Sequence, residues 1–277
     1  MRSRHLNMSQ DLTRLSINQM SISRIDLSEA VEACARADIA WIGVWRHKIV
    51  GPAVVAGRHI REAGLRVSSL CRGGMFPAAT ADERRSRIED NLRAIDEAVA
   101  IGTDLLVLVN GPAPNRDLAA ARRMVEEGIA EIEPYAKACK VRLGIEPLHP
   151  MFAADRSVTV TLAQANQLAA QFDPRWVGVV VDVYHVWWDP QIYTEIARAG
   201  ERVFAFHVSD WIIPLPDVLT GRGIMGQGVI EIRKLREAVE AAGYRGPVEV
   251  EIFNQNVWKL PVDDALRAIT AGYLEAT

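Results

Sequence analysis

The chain has little of what marks several large classes of protein. Its three cysteines, Cys34, Cys71 and Cys139, lie far apart in 277 residues and form no Cys-x-x-Cys pair. That excludes a disulfide framework and a thiolate zinc site, and it leads us to expect reduced thiols in a cytoplasmic protein. No apolar run approaches membrane-spanning length, so no membrane partner is expected. Basic residues are not in excess: 32 Lys and Arg against 35 Asp and Glu give a net charge of −3, unsuited to a nucleic-acid partner. The segment Thr220–Gly228 is glycine-rich but lacks the Lys-Ser/Thr of a phosphate-binding loop. Nor does a glycine-rich turn follow the first strand, where Asn18-Gln19-Met20-Ser21 stands, and this disfavours an open doubly wound sheet. The stretch Met1–Asp11 is polar and has no apolar core, so a frayed tail over residues 1–13 is expected rather than a signal peptide.

What is present is core-forming material, 49% apolar and 24% charged, the profile of a globular protein with a large interior. Apolar strand-like runs at Arg14–Asn18, Ile39–Trp45, Arg66–Cys71, Asp104–Asn110, Val141–Glu146, Trp176–Val183, Arg202–Val208 and Pro247–Phe253 alternate with helical segments. Asp26 and Thr161 read as helix N-caps, and Gly64 and Gly102 as helix ends. Eight such repeats predict a parallel sheet closed into a single (β/α)8 TIM barrel over residues 14–277. Nearly continuous apolar runs suit strands whose outer face helices cover.

The stretch from Val141 to Pro150 carries the clue to function. Alternation places Val141, Leu143 and Ile145 on one face of a strand, and Arg142, Gly144 and Glu146 on the other. A carboxylate at the last pleat of an apolar strand is costly unless a charge opposes it. Strand six then ends in Asp182, strand seven in His207 and strand eight in Glu251. In a barrel, those strand ends form the mouth that bears the site. Taken singly, each residue is a strand-end polar group with a salt bridge of its own. Together, three carboxylates and an imidazole at one mouth repel unless a cation holds them. Oxygen-rich coordination with one nitrogen suits Mn2+, with Mg2+ or Co2+ as alternatives.

Glu146-Pro147, Asp182-x-x-His185, His207-Val208-Ser209-Asp210 and Val250-Glu251 resemble the xylose isomerase-like barrel superfamily, a likeness that runs from Arg14 to Leu274. The resemblance implies that Glu146, Asp182, His207 and Glu251 bind a divalent metal. It implies further that Glu146 and Glu251 face each other across the substrate as acid and base, and that His185 contacts substrate. Arg222 would reach the substrate too, although the glycines around it equally let a long loop turn. Glu146-Pro147-Leu148-His149-Pro150 is similar to a segment of the branch containing C-glycoside deglycosidases that act on 3-keto-glycosides. There His149 would be the proton-abstracting base; the alternative is a turn histidine bonded to backbone. By strand-end position alone, Trp45, His47, Arg72 and Asn110 are candidate substrate contacts on the opposite wall. Asp210 is expected to support the metal or bind Arg222, and Glu249, a layer deeper than Glu251, to meet Arg142.

The primary expectation is a sugar isomerase or epimerase that abstracts a proton α to a keto-sugar carbonyl through an enediolate. Second comes a lyase or dehydratase acting on 3-keto-glycosides or keto-inositols with His149 as base. An endonuclease for abasic DNA ranks low, because Cys71 and Asn110 stand near the places where its three zinc ions need histidines. A non-catalytic sugar binder is disfavoured by the complete ligand set. The expected partners are a small sugar or glycoside and further copies of the chain, or a different small subunit if the enzyme is a deglycosidase.

Overall fold

The computed structural model describes residues 11–277. The expected tail thus lies outside the described residues apart from Asp11–Thr13, where the Thr13 N–H donates to the Asp11 carboxylate (3.1 Å). Strands one to eight are Leu15–Asn18, Trp41–Trp45, Arg66–Gly74, Leu105–Val109, Arg142–Ile145, Val177–Asp182, Val203–Val208 and Val248–Val250. They pair in parallel in chain order, and strand one pairs with strand eight to close the expected barrel. Between them run helices Leu27–Arg36, Ala53–Glu62, Ala81–Ile101, Leu118–Ala138, Leu162–Ala169, Ile192–Ala199 and Ile232–Ala241, and Val262–Ala276 ends the chain. Side-chain oxygens start several of these: Asp26 accepts from Glu29 N–H, Thr161 from Gln164 N–H, and Thr80 with Glu83 forms a reciprocal capping box. None of the helices among the described residues is long and apolar enough to cross a membrane.

Several strand ends differ from expectation, strand eight stopping at Val250 for example, and two of the differences shape the mouth. Strand three runs on to Gly74 because Gly73 and Gly74 pair with Leu108 and Val109. A Cβ on Gly74 would lie 2.1 Å from the Val109 carbonyl oxygen, so only glycine lets the two backbones approach there. Strand six stops at Asp182, whose carboxylate accepts the Tyr184 N–H (2.9 Å) and starts a helical turn, Val183–Val186. That turn swings His185 back over the strand end.

The apolar core of the described residues has three parts, one of them made by Val109, Leu148, Phe152 and Tyr184. Leu143, Ile145, Val179, Val181, Phe206, Val208 and Val250 belong to the large cluster between barrel and helices. Cys71, Leu105, Val107, Val180, Phe204 and Ala205 form a small cluster of their own. Register then brings polar residues side by side in the barrel: Asp182 pairs with His207, and His207 with Glu249. Gly43 leaves the space for Glu249, since a Cβ there would come 2.1 Å from its Oε1.

Candidate metal centre and substrate pocket

Glu146, Asp182, His207 and Glu251 converge, each offering a donor atom within 4.8 Å of the others, and all four are buried. Burying three carboxylates demands compensation. Part of it comes from Arg222, whose Nη1 donates to Asp182 Oδ2 and Glu251 Oε2 at 2.9 Å each. The rest of the cluster is unsatisfied. Glu146 Oε1 and both ring nitrogens of His207 are buried without a hydrogen bond, although His207 Nδ1 stands only 3.4 Å from Glu146 Oε1. Buried polar atoms are nearly always paired, so orphaned donor atoms on neighbouring residues, three of the four ligands being carboxylates, fit a hard divalent cation.

The electrostatics are correspondingly strained. Burial raises the Glu251 carboxyl to about 8, Arg222 offsetting and Glu146 reinforcing the shift. Burial works against a charged His207, yet Glu249, Glu146 and Glu251 together lift it to about 10. Burial would also raise Asp182, but Arg222, His185 and His207 outweigh it and hold the carboxyl below its usual range. Burial depresses His185 to about 3, so its ring is neutral at working pH.

Above the cluster lies a pocket lined by Glu146, Glu251, His185 and Arg222 together with Trp45, Arg72, Phe152, Arg156 and Phe253. Asp182 and His207 are fully buried and do not line it. Of the expected wall, Trp45 and Arg72 are in place; Trp45 is fixed by its indole N–H donating to Asn18 Oδ1 (2.9 Å) and stands edge-on to Phe253 at 5.7 Å. His47 and Asn110 stay outside the lining. The His47 ring lies against Trp45 (5.5 Å), and the Asn110 amide donates to Thr159 Oγ1 (2.8 Å). His149 is also off the wall: its Nδ1 accepts its own turn's Met151 N–H (3.2 Å), and its ring packs against Trp188 and Trp211. Its backbone N–H donates to His185 Nδ1 (3.2 Å), so it orients that histidine.

Two expectations are corrected. Asp210 touches neither Arg222 nor the cluster; its carboxylate accepts the backbone N–H groups of Trp211, Gly226, Gly228 and Ile230 (2.8–3.0 Å) and so folds the glycine loop. Glu249 does not meet Arg142, which pairs with Asp104 (3.0 Å) at the far end of its strand. Instead Glu249 accepts hydrogen bonds from Asn18, Ser68 and Ser69 (2.7–3.1 Å) and lies 3.8 Å from His207 Nε2. Sequence reasoning missed Arg156, which lines the pocket, and Asn18, whose amide donates to both Glu249 and Glu251. The signal for Asn18 was available, since it ends strand one as Glu146 follows strand five.

The family model described as xylose isomerase-like TIM barrel matches residues 28–272, and the chain belongs to that family. The crystal structure of protein SMc04130 from Sinorhizobium meliloti 1021 superposes with a TM-score of 0.93 at 46% identity, covering 96% of this chain and 98% of that one. The 3-dehydroshikimate dehydratase of Pseudomonas aeruginosa is 26% identical over 275 residues, which is 93% of this chain but only 42% of that protein's length. The L-ribulose-5-phosphate 3-epimerase UlaE of Escherichia coli is 24% identical over 202 residues, 71% of this chain and 68% of its own.

Proposed function

We propose that the protein is a divalent-metal-dependent enzyme that removes a proton α to the carbonyl of a keto-sugar and returns it, as an isomerase or epimerase. The observation that carries this reading is the convergence of Glu146, Asp182, His207 and Glu251 to within 4.8 Å, with orphaned donor atoms among them. These four would hold Mn2+, or Mg2+ or Co2+ in its place. When bound, such an ion polarises the carbonyl and offsets charge developing on its oxygen. Glu146 takes the proton through the carboxylate oxygen that the ion leaves free. Glu251 faces it across the substrate as the second acid-base group. Neutral His185 and cationic Arg222 bind substrate oxygens, and Trp45 with Phe253 covers the apolar face of the sugar and excludes water.

A second reading, a lyase or dehydratase, draws support from the dehydratase relative that spans 93% of this chain. Proton removal would be the same and a group on the β-carbon would leave. With His149 turned into its own loop, Glu146 is the better-placed base for that step also. We expect a small-molecule substrate and a homo-oligomer; sedimentation would test the latter. To separate the readings, the Mn2+-loaded protein is incubated with a keto-sugar panel in D2O. Deuterium at the carbon beside the carbonyl with the skeleton retained supports an epimerase or isomerase, and loss of a β-group supports a lyase. Turnover without deuterium counts against both.

A further inference from the structure

The pocket also carries two guanidinium groups with almost nothing to neutralise them. Arg72 sits in strand three where its pairing with strand four shifts register, and Arg156 comes from the loop after strand five; both line the pocket. Among the described residues the Arg72 side chain makes no hydrogen bond or ion pair. Arg156 has only the neighbouring Asp155 at 3.9 Å, itself 66% exposed, and its Nε is buried without a partner. Elsewhere the chain pairs its half-buried arginines well: Arg46 meets Asp90 at 2.8 Å and Glu97 at 2.6 Å. The two free cations also feel each other, for burial and then the charge of Arg156 hold Arg72 below the usual arginine range. Like charges brought together in a partly desolvated cleft are unfavourable unless an anion joins them. The fold nevertheless supports both. The Phe152 ring lies 5.6 Å beneath the Arg156 guanidinium, and the Arg46 guanidinium donates to the Arg72 carbonyl (3.4 Å).

We propose that Arg72 and Arg156 form an anion subsite, and that the substrate is an acidic polyhydroxy ketone bearing a carboxylate or phosphate away from its reacting carbonyl. Forked guanidinium donors suit the oxygens of either group. The assignment of a substrate to this pocket rests on the reading proposed above.

Calorimetry with the Mn2+-loaded protein tests it, using D-ribulose, D-ribulose 5-phosphate and D-gluconate as neutral, phosphate and carboxylate probes. At least one acidic probe should bind about ten-fold more tightly than D-ribulose, ~1.4 kcal/mol, with an affinity that weakens as salt is added. Whether the phosphate or the carboxylate gains more identifies the source of charge. In Arg72→Ala and in Arg156→Ala the preference should fall below about three-fold, with unchanged circular dichroism and partial recovery in Arg72→Lys. Equal binding of neutral and acidic probes, no binding of any, or a preference that survives the double variant would overturn the proposal. Anion-selective binding without deuterium exchange would sink the proton-transfer reading and leave the subsite standing. Exchange confined to neutral sugars, without anion selectivity, would do the reverse.

Discussion

Glu249 lies in strand eight and Glu251 just past its end, yet the two live in different conditions. The deeper carboxylate is saturated: Asn18, Ser68 and Ser69 donate to it, and Gly43 is cut back to make room. The upper one shares Arg222 with Asp182, sits near the unpaired Glu146 oxygen, and is pushed up to about 8. Two acids of one type, 2% and 4% exposed, are thus told apart by what surrounds them. Glu249, its donors complete, serves the architecture. Glu251 too has a donor on each oxygen, from Asn18 and Arg222, but crowding by Glu146 and Asp182 sets it apart. The unpaired Glu146 oxygen beside it leaves the site awaiting something from outside the chain.

Substitutions can sharpen that contrast, and the largest effect belongs to the upper layer. Glu146→Gln and Glu251→Gln should each lower kcat by at least ~10²-fold while leaving the melting temperature near that of the parent, read by steady-state rates beside thermal melts. Glu249→Ala should act the other way round. Stranding Asn18 and two serines in the interior costs about 2–4 kcal/mol, measured by denaturant titration, and Glu249→Gln should cost less. Because Glu249 faces His207 Nε2, Glu249→Gln should also weaken metal binding by about ten- to a hundred-fold.

A smaller effect follows from proton linkage in the metal-stripped protein. A raised carboxyl or imidazole holds a proton in the folded state that the unfolded chain gives up, so its stabilisation is lost as pH rises. Glu251 loses its share between 4.5 and about 8, and His207 between 6.5 and about 10. His185, depressed to about 3, opposes this only below 6.5. The melting temperature should therefore fall from pH 6.5 to 8, and saturating Mn2+ should flatten the trend. Smallest of all is His149→Ala, expected to change kcat less than about three-fold, since the ring lies off the pocket wall. A loss beyond a hundred-fold would restore His149 as base and favour the lyase.

The barrel was legible because its strands are nearly continuous apolar runs, and its helices announce themselves with Asp26 and Thr161. The four clustered residues were legible for a related reason: in a parallel barrel, position at a strand end is position at the mouth. Side-chain direction beyond those ends was not. His149 and Arg222 both sit in loops, yet one folds back on its own turn and the other reaches the centre, because Asp210 gathers four backbone N–H groups around the loop that carries Arg222. The partners of Glu249 were equally hidden. Asn18 and Ser69 lie 231 and 180 residues away in the chain, a pairing that closure of the barrel creates and local pattern does not encode.

The claim beneath all of this is that Glu146, Asp182, His207 and Glu251 share one ion. Titration of chelator-stripped protein with Mn2+ beside the Asp182→Asn variant tests it directly. The account predicts one ion per chain for the parent and strongly weakened uptake in the variant. A parent that takes up no Mn2+, or a variant that binds it just as well, would contradict it.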